Sequence, residues 1–336
     1  MAQTAAQKLA TALASAGNAV KVFGQAIALP KYRGFMDYPA QQTNLLATVG
    51  CANQVEWAIW SSRRMVRDFG ATAVVVVANT EPGSLCQMED VVKAYIDSGL
   101  KVVLYLQGSC FFRGSVAENW TPADFEAYYA NVLVQLTKFR ANGNGIVGVI
   151  LSEEINLFEY VNGVTPQTAL SPYHTELTKR LKKWMPWPFI VIENGYTPYC
   201  QLFANLPEDS KPDVYMVETY ETLIVDGKGV CGYPSKTKML ARVTTELTTA
   251  DTILGEGITV GHMPLCGMQP LDLVVNQGWE FPYVPGYVRP QLSLYSGDWQ
   301  LGWYWGQTNN FPYMGVVGGD GKYSVIGKEL LGCWTV

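Results

Sequence analysis

Short unbroken apolar runs alternate along the chain with longer stretches in which apolar residues recur every three or four positions. The runs are Val20 to Leu29, Ala73 to Ala78, Lys101 to Gln107, Ile146 to Leu151, Phe189 to Ile192, Val214 to Val217, Ile258 to Met263 and Leu301 to Trp305. They are rich in Val and Ile and mostly free of charge, as strands buried on both faces of a parallel sheet are. Helical spacing fills the segments between them, most clearly Asn44 to Phe69, Leu85 to Ser98, Pro122 to Asn142, Pro172 to Met185 and Lys236 to Leu254. Thr121-Pro122 opens one of these with a capping hydroxyl and a proline at the first helical position, and Ser171-Pro172 opens another in the same way. Gly70, Gly99 and Gly143 stand where helices are expected to stop.

Eight strand-like runs separated by helices, in a chain of 336 residues, predict an α/β fold of the (β/α)8 TIM-barrel type. A doubly wound open sheet is the alternative, but no Gly-x-Gly-x-x-Gly follows the first run and Gly24 opens no phosphate loop. Without an internal repeat or a dividing linker, residues 1–336 read as one domain. Met1 to Asn18 would form an N-terminal helix or arm ahead of the barrel. Gln269 to Trp299, the longest irregular stretch, would be an extended loop after the seventh strand.

Composition narrows the partners. With 48% hydrophobic and 16% charged residues the chain can bury a large core. Its net charge of −5 and scattered Lys and Arg give no electrostatic footprint for nucleic acid. The N-terminus has no apolar stretch flanked by positive charge, as a signal peptide would, and no run reaches the roughly 18 residues of a membrane span. A cytoplasmic chain, or one assembled into a larger particle, is expected, and its oligomeric state is open. The seven Cys are dispersed with no Cys-x-x-Cys, and the two His, His174 and His262, are far apart. No metal or other cofactor is implied, and no Gly-x-Ser-x-Gly elbow suggests a serine hydrolase.

In a (β/α)8 barrel the chemistry sits at the carboxyl ends of the strands, so the polar residues that close each run are the candidates. They are Asn79 after the second run, Gln107 after the third, Glu153 and Glu154 after the fourth, and Glu193 after the fifth. Glu218 and Tyr220 follow the sixth, His262 the seventh, and Trp303 and Trp305 the eighth. Adjacent residues on a strand face opposite ways, so only one of Glu153 and Glu154 can point into the mouth. Tyr and Trp, at 19 and 10 residues, suit a sugar ligand, whose C–H faces stack on rings and whose hydroxyls bond their polar edges.

The passage Val147-Gly148-Val149-Ile150-Leu151-Ser152-Glu153-Glu154 resembles the fourth strand of glycoside hydrolase clan A, an aliphatic strand closing in Asn-Glu. The resemblance implies that Glu154 is the general acid/base, with Glu153 in place of the Asn that helps hold the sugar. Asp213 to Tyr220 is similar to the sixth strand of those barrels, and Leu301 to Trp305 to their last. A Trp there, Trp305, would floor the sugar subsite. The clan's nucleophile, a Glu ending the seventh strand, has no counterpart in Ile258-Thr259-Val260-Gly261-His262-Met263-Pro264. Glu218 or Glu193 could instead partner Glu154, with a carboxyl separation of about 5 to 9.5 Å between Glu154 and Glu218. Two readings follow. One is a barrel glycosidase that cleaves a β-linked oligo- or polysaccharide, and the other a non-catalytic carbohydrate-binding or structural barrel of a virion or cell surface.

Overall fold

A computed structural model of the chain describes residues 29–79, 88–107, 112, 117, 119–153, 172–220, 222–225, 228–231, 236–255, 257–265, 288–306 and 315–335. Its strands are β1 (Tyr32–Asp37), β2 (Ala73–Asn79), β3 (Lys101–Gln107), β4 (Ile146–Glu153), β5 (Phe189–Glu193), β6 (Val214–Tyr220), the hairpin pair β7 (Thr222–Val225) and β8 (Lys228–Cys231), β9 (Thr259–Leu265) and β10 (Trp299–Tyr304). All but the hairpin pair in parallel to close a barrel in the order β1-β10-β9-β6-β5-β4-β3-β2. Around it run α1 (Thr43–Val49), α2 (Gln54–Arg64), α3 (Met88–Asp97), α4 (Pro122–Phe139), α5 (Pro172–Trp184), α6 (Thr197–Ala204), α7 (Lys236–Leu254), α8 (Val288–Leu292) and α9 (Val325–Leu330). Among the described residues no helix is long and apolar enough to cross a membrane.

Seven of the expected runs become barrel strands. Residues 20–28 lie outside the described residues, as do the expected N-terminal arm and most of the expected long loop. The strand that closes the barrel is Tyr32–Asp37, which a basic start and an acidic end disguise in the sequence. Arg33 sits at the strand's base, where its guanidinium donates to the carbonyls of Pro30 and Gly70. Gly34 lets β1 lie against β2, since a Cβ there would come within 1.8 Å of the Ala73 carbonyl oxygen. The hairpin β7–β8 also went unpredicted. The long helix expected over 44–69 divides because Gly50 takes a left-handed φ of 77° and ends α1. Asn53 then caps α2 by accepting from the Glu56 amide, and a π turn over Met65–Phe69 carries the helix to Gly70.

Burial falls into two layers. Met36, Val75, Val103, Ile150, Ile190, Met216, Met263 and Leu301 belong to a cluster made only of strand residues and their immediate continuation, which is the barrel interior. Phe35, Val74, Leu104, Leu151, Val191, Val217, Trp303 and Trp305 belong to a second cluster that includes helix residues, which is the layer between strands and helices. Helix α4 shows how local chemistry sets an element in that outer layer. Thr121 accepts from the Asp124 amide while Asp124 accepts from the Thr121 amide, a reciprocal capping box. Thr121→Ala is expected to destabilise the protein by about 1 kcal/mol in urea denaturation.

β4 and β10 each carry one extra residue near the mouth where they meet a neighbour, and β4 carries another, Val147, at its start against β3. Along β4, Ile150 faces Ile190 and Ser152 faces Val191, so Leu151 is the bulged residue. Along β10, Gly302 faces Phe35 and Tyr304 faces Met36, so Trp303 is bulged. Trp303 has φ 49°, the single left-handed non-glycine among the described residues. A bulge reverses the alternation of side chains beyond it. Both reversals fall immediately before the mouth of the barrel.

Candidate active site

Beyond the Leu151 bulge, Glu153 pairs with Ile192 of the interior layer and its side chain meets Tyr105, another interior residue. The Tyr105 hydroxyl donates to Glu153 Oε2. On β6 no bulge intervenes, and Val214, Met216 and then Glu218 fall on the same inward face, with Glu218 buried. Past the Trp303 bulge, Tyr304 turns inward and stacks on Tyr38, with ring centroids 5.2 Å apart at 29°. Tyr38 and Tyr304 also share a hydrogen bond, and Tyr304 lies within electrostatic reach of both Glu153 and Glu218. Two carboxylates and three tyrosines, from β1's continuation, β3, β4, β6 and β10, therefore meet at the carboxyl end of the barrel.

The electrostatics of that cluster keep Tyr105 and Tyr304 protonated. Burial holds the Tyr105 hydroxyl well above the ordinary tyrosine range, and the Glu153 carboxylate adds to the shift. Tyr304 is raised chiefly by burial, then by Tyr38, Glu153 and Glu218. Tyr105 and Tyr304 are thus neutral donors, suited to a carboxylate or a sugar hydroxyl.

The remaining sequence candidates divide. Asn79 and Gln107 are register partners that close β2 and β3, and Tyr220 pairs with Leu265 at the end of β6, but their side chains lie outside the described residues. Glu154 lies outside them altogether. Glu193 is buried on the outer face, opposite Val217, where it acts electrostatically on Tyr215 and Cys200 rather than facing the mouth. His262 also faces outward, between Thr219 Oγ1 at 3.0 Å and Gln300, with burial pushing its pKa down to about 3. Trp303 and Trp305 lie in the outer layer, with Trp305 against Phe35, Phe69 and Tyr323. The inward residue of β10 is Tyr304, not either tryptophan. Each placement follows from strand parity, which the bulges shift on β4 and β10 and leave unshifted on β5 and β9.

Asp37, at the end of β1, was not anticipated. It is fully buried on the outer face, accepting from Trp57 Nε1 at 2.8 Å and from the Tyr95 hydroxyl. The sequence clue was a lone carboxylate closing Gly34-Phe35-Met36, in a segment whose strand went unread. Desolvation raises its pKa to about 6, against the pull of these two donors and of the Tyr38 amide. The folded state therefore holds this proton more tightly than the unfolded one. The stabilisation is complete below about pH 4 and lost as pH rises through 6, on the order of 3 kcal/mol. His262 and His174, lowered by burial to about 3 and about 4, act oppositely and stabilise the fold only above their unfolded pKa. Asp37→Asn isolates the first effect: its Tm relative to the native chain should rise between pH 4 and 7. A flat difference would contradict the assignment.

No family model matches the chain, and no curated protein does. Solved structures share its fold. A β-glucuronidase from an uncultured Clostridium superposes with a TM-score of 0.55 at 13% identity, over 89% of this chain and 49% of that one. A β-glucuronidase from Bacteroides uniformis gives 0.56 at 13% identity, over 90% of this chain and 34% of its own length. A GH26 β-mannanase from Bacteroides ovatus gives 0.52 at 9% identity, over 89% and 87% of the two chains. The chain thus spans half or less of those glucuronidases and most of the mannanase. The barrel is of a kind that glycoside hydrolases use.

No group of three or more His, Cys, Asp and Glu among the described residues is placed to hold a metal ion. What the described cluster offers is acid–base chemistry by two carboxylates beside donor phenols and stacked rings.

Proposed function

We propose that the mouth of this barrel binds a β-linked oligo- or polysaccharide and hydrolyses it with a carboxylate pair. The observation that carries the reading is that Glu153 and Glu218, from strands two places apart, both face the interior among Tyr38, Tyr105 and Tyr304. Glycoside hydrolysis needs one carboxyl to protonate the leaving oxygen and a second carboxylate as nucleophile or as base for water. Strand spacing of about 4.8 Å separates the two backbones by roughly 10 Å, and inward-reaching side chains shorten that to about 5 to 9.5 Å between carboxyls. The stacked Tyr38 and Tyr304 rings offer the aromatic surface that a pyranose face requires. Glu154, which the fourth-strand motif suggests as proton donor, is the competing carboxylate. Parallel assays of Glu153→Gln and Glu154→Gln decide between them.

The test is release of reducing ends from a panel of β-mannans, β-glucans and β-glucuronides, with product anomers followed by NMR. A gap near 5 Å implies retention and a wider one inversion. Turnover of at least one glycan is expected.

One observation favours a second reading. The inward residue near the end of β9, the seventh barrel strand, is Met263, where the resembled clan has its nucleophile. A carbohydrate-binding barrel without catalysis would bind a glycan by calorimetry and release no reducing ends over days. Prompt turnover rules it out.

A further inference from the structure

We infer that a cavity on the helix side of the barrel binds the phosphate monoester group of a small organic ligand through Arg63 and Arg64. The inference is independent of the hydrolysis proposed for the mouth. The cavity measures about 450 Å³, and its described walls come from α1, α2 and the turns that follow each helix. That volume falls among those of small-molecule sites, about 300 to 1,000 Å³. Arg63, Arg64 and Arg67 all line it, the first two from α2 and the third from the π turn beyond. Three guanidiniums thus converge on one cavity in a chain whose net charge is −5.

The three are not equivalent. Arg67 donates from Nε and Nη2 to the two carboxylate oxygens of Asp68, which answers its charge. Arg63 and Arg64 make no hydrogen bond or salt bridge among the described residues, although Asp68 attracts Arg64 at longer range. Rings hold Arg64 instead. Its guanidinium lies over Trp60, 4.3 Å from the ring centroid, and over Tyr323 at 5.2 Å. Trp60 in turn stacks on Trp57, with centroids 5.1 Å apart at 22°, and Trp57 is fully buried and donates to Asp37. Stacking engages the flat face of a guanidinium and leaves its N–H edge to take an anion. This ladder of rings fixes Arg64 before a ligand arrives, so little freedom is lost on binding. Arg63 is exposed and brings a second fork of donors to the same cavity. Glu56, the acidic residue of the lining, lies about two turns back along α2 and accepts from the Ala52 amide. Two guanidiniums with N–H groups to spare match a group of charge near −2. A phosphate monoester carries about −1.5 to −2 at neutral pH and offers three oxygens to paired N–H donors. A carboxylate or a sulfate ester carries a single negative charge. Val49 and Ile59 supply apolar wall for the body to which the phosphate is attached.

The experiment is calorimetric titration of the full chain with phenyl phosphate, phenyl sulfate and phenol at low ionic strength, with backbone amides followed by NMR. The native chain should bind phenyl phosphate at one site, about tenfold or more tighter than phenyl sulfate, and should not bind phenol. Arg64→Lys keeps the charge but not the fork, and should weaken phenyl phosphate about tenfold. The double variant Arg63→Gln/Arg64→Gln should lose it. Lys93→Gln, which removes an exposed cation from α3, should bind as the native chain does. In the native chain the amides of Arg63 and Arg64 should shift with phenyl phosphate, a result that needs no variant to fold. Arginines that serve only to complement the carboxyl end of α2 would lower Tm when replaced and bind no ester in the native chain. That outcome overturns the inference, as does phenyl sulfate binding as tightly as phenyl phosphate, or phenyl phosphate binding that survives the double variant.

Discussion

Glu218→Gln is expected to lower kcat/KM by about a thousandfold on whichever glycan the native chain cleaves best, with little change in Tm. The size follows from what a positioned proton donor contributes, about 10²- to 10⁴-fold. The amide keeps the shape of the acid but cannot give up the proton, so folding is spared while the bond-breaking step is not. Glu153→Gln should cost a similar factor, and the double variant little more than either, because members of one catalytic unit do not add. Glu193→Gln serves as the control. Its carboxyl faces Tyr215 and Cys200 on the helix side of β5, so any effect should appear in stability and not in rate. A thousandfold loss in Glu193→Gln with Glu218→Gln unaffected would reverse the assignment.

Trp305→Ala should destabilise the fold by about 3 to 5 kcal/mol, while Tyr304→Phe leaves stability nearly unchanged and weakens glycan binding. Trp305 is fully buried against Phe35, Phe69 and Tyr323, so its removal opens a large cavity in the outer layer. Tyr304 faces the mouth, and its hydroxyl bonds Tyr38. Without it the ring remains but one donor is lost. Urea denaturation and calorimetry on both variants separate the two roles. If Trp305→Ala instead kept its Tm and lost glycan binding, the tryptophan would be the sugar platform that the last-strand resemblance suggests.

The barrel was legible because its strands are aliphatic and unbroken and its helices carry caps and stops of their own. β3 and α7 match their expected bounds. β1 was missed because only Phe35 and Met36 give it an apolar character, while the more apolar 20–29 drew the reading. The site was half legible, and the reason lies in two residues. Counting by twos from Ile150 puts Glu154 inward and Glu153 out. Counting from Leu301 puts Trp303 and Trp305 inward and Tyr304 out. Those are the residues the sequence singles out, but the bulged Leu151 turns Glu153 inward and the bulged Trp303 turns Tyr304 inward. The Leu151 bulge has no adjacent glycine to mark it, and Trp303, although Gly302 precedes it, itself takes a left-handed conformation against ordinary preference, at a cost of about 1 to 2 kcal/mol. Where no bulge intervenes, as along β6, the inward position of Glu218 could be read directly from alternation with Val214 and Met216.

The most direct test of a carbohydrate site built on Glu153 and Glu218 is a crystal structure of the Glu218→Gln protein with a β-linked oligosaccharide bound. The account predicts a sugar ring against Tyr38 and Tyr304, with a glycosidic oxygen about 3 Å from the side chain of residue 218 and Glu153 on the opposite side of the bond. An oligosaccharide bound elsewhere on the barrel, or Glu153 and residue 218 both turned away from the mouth, would contradict it.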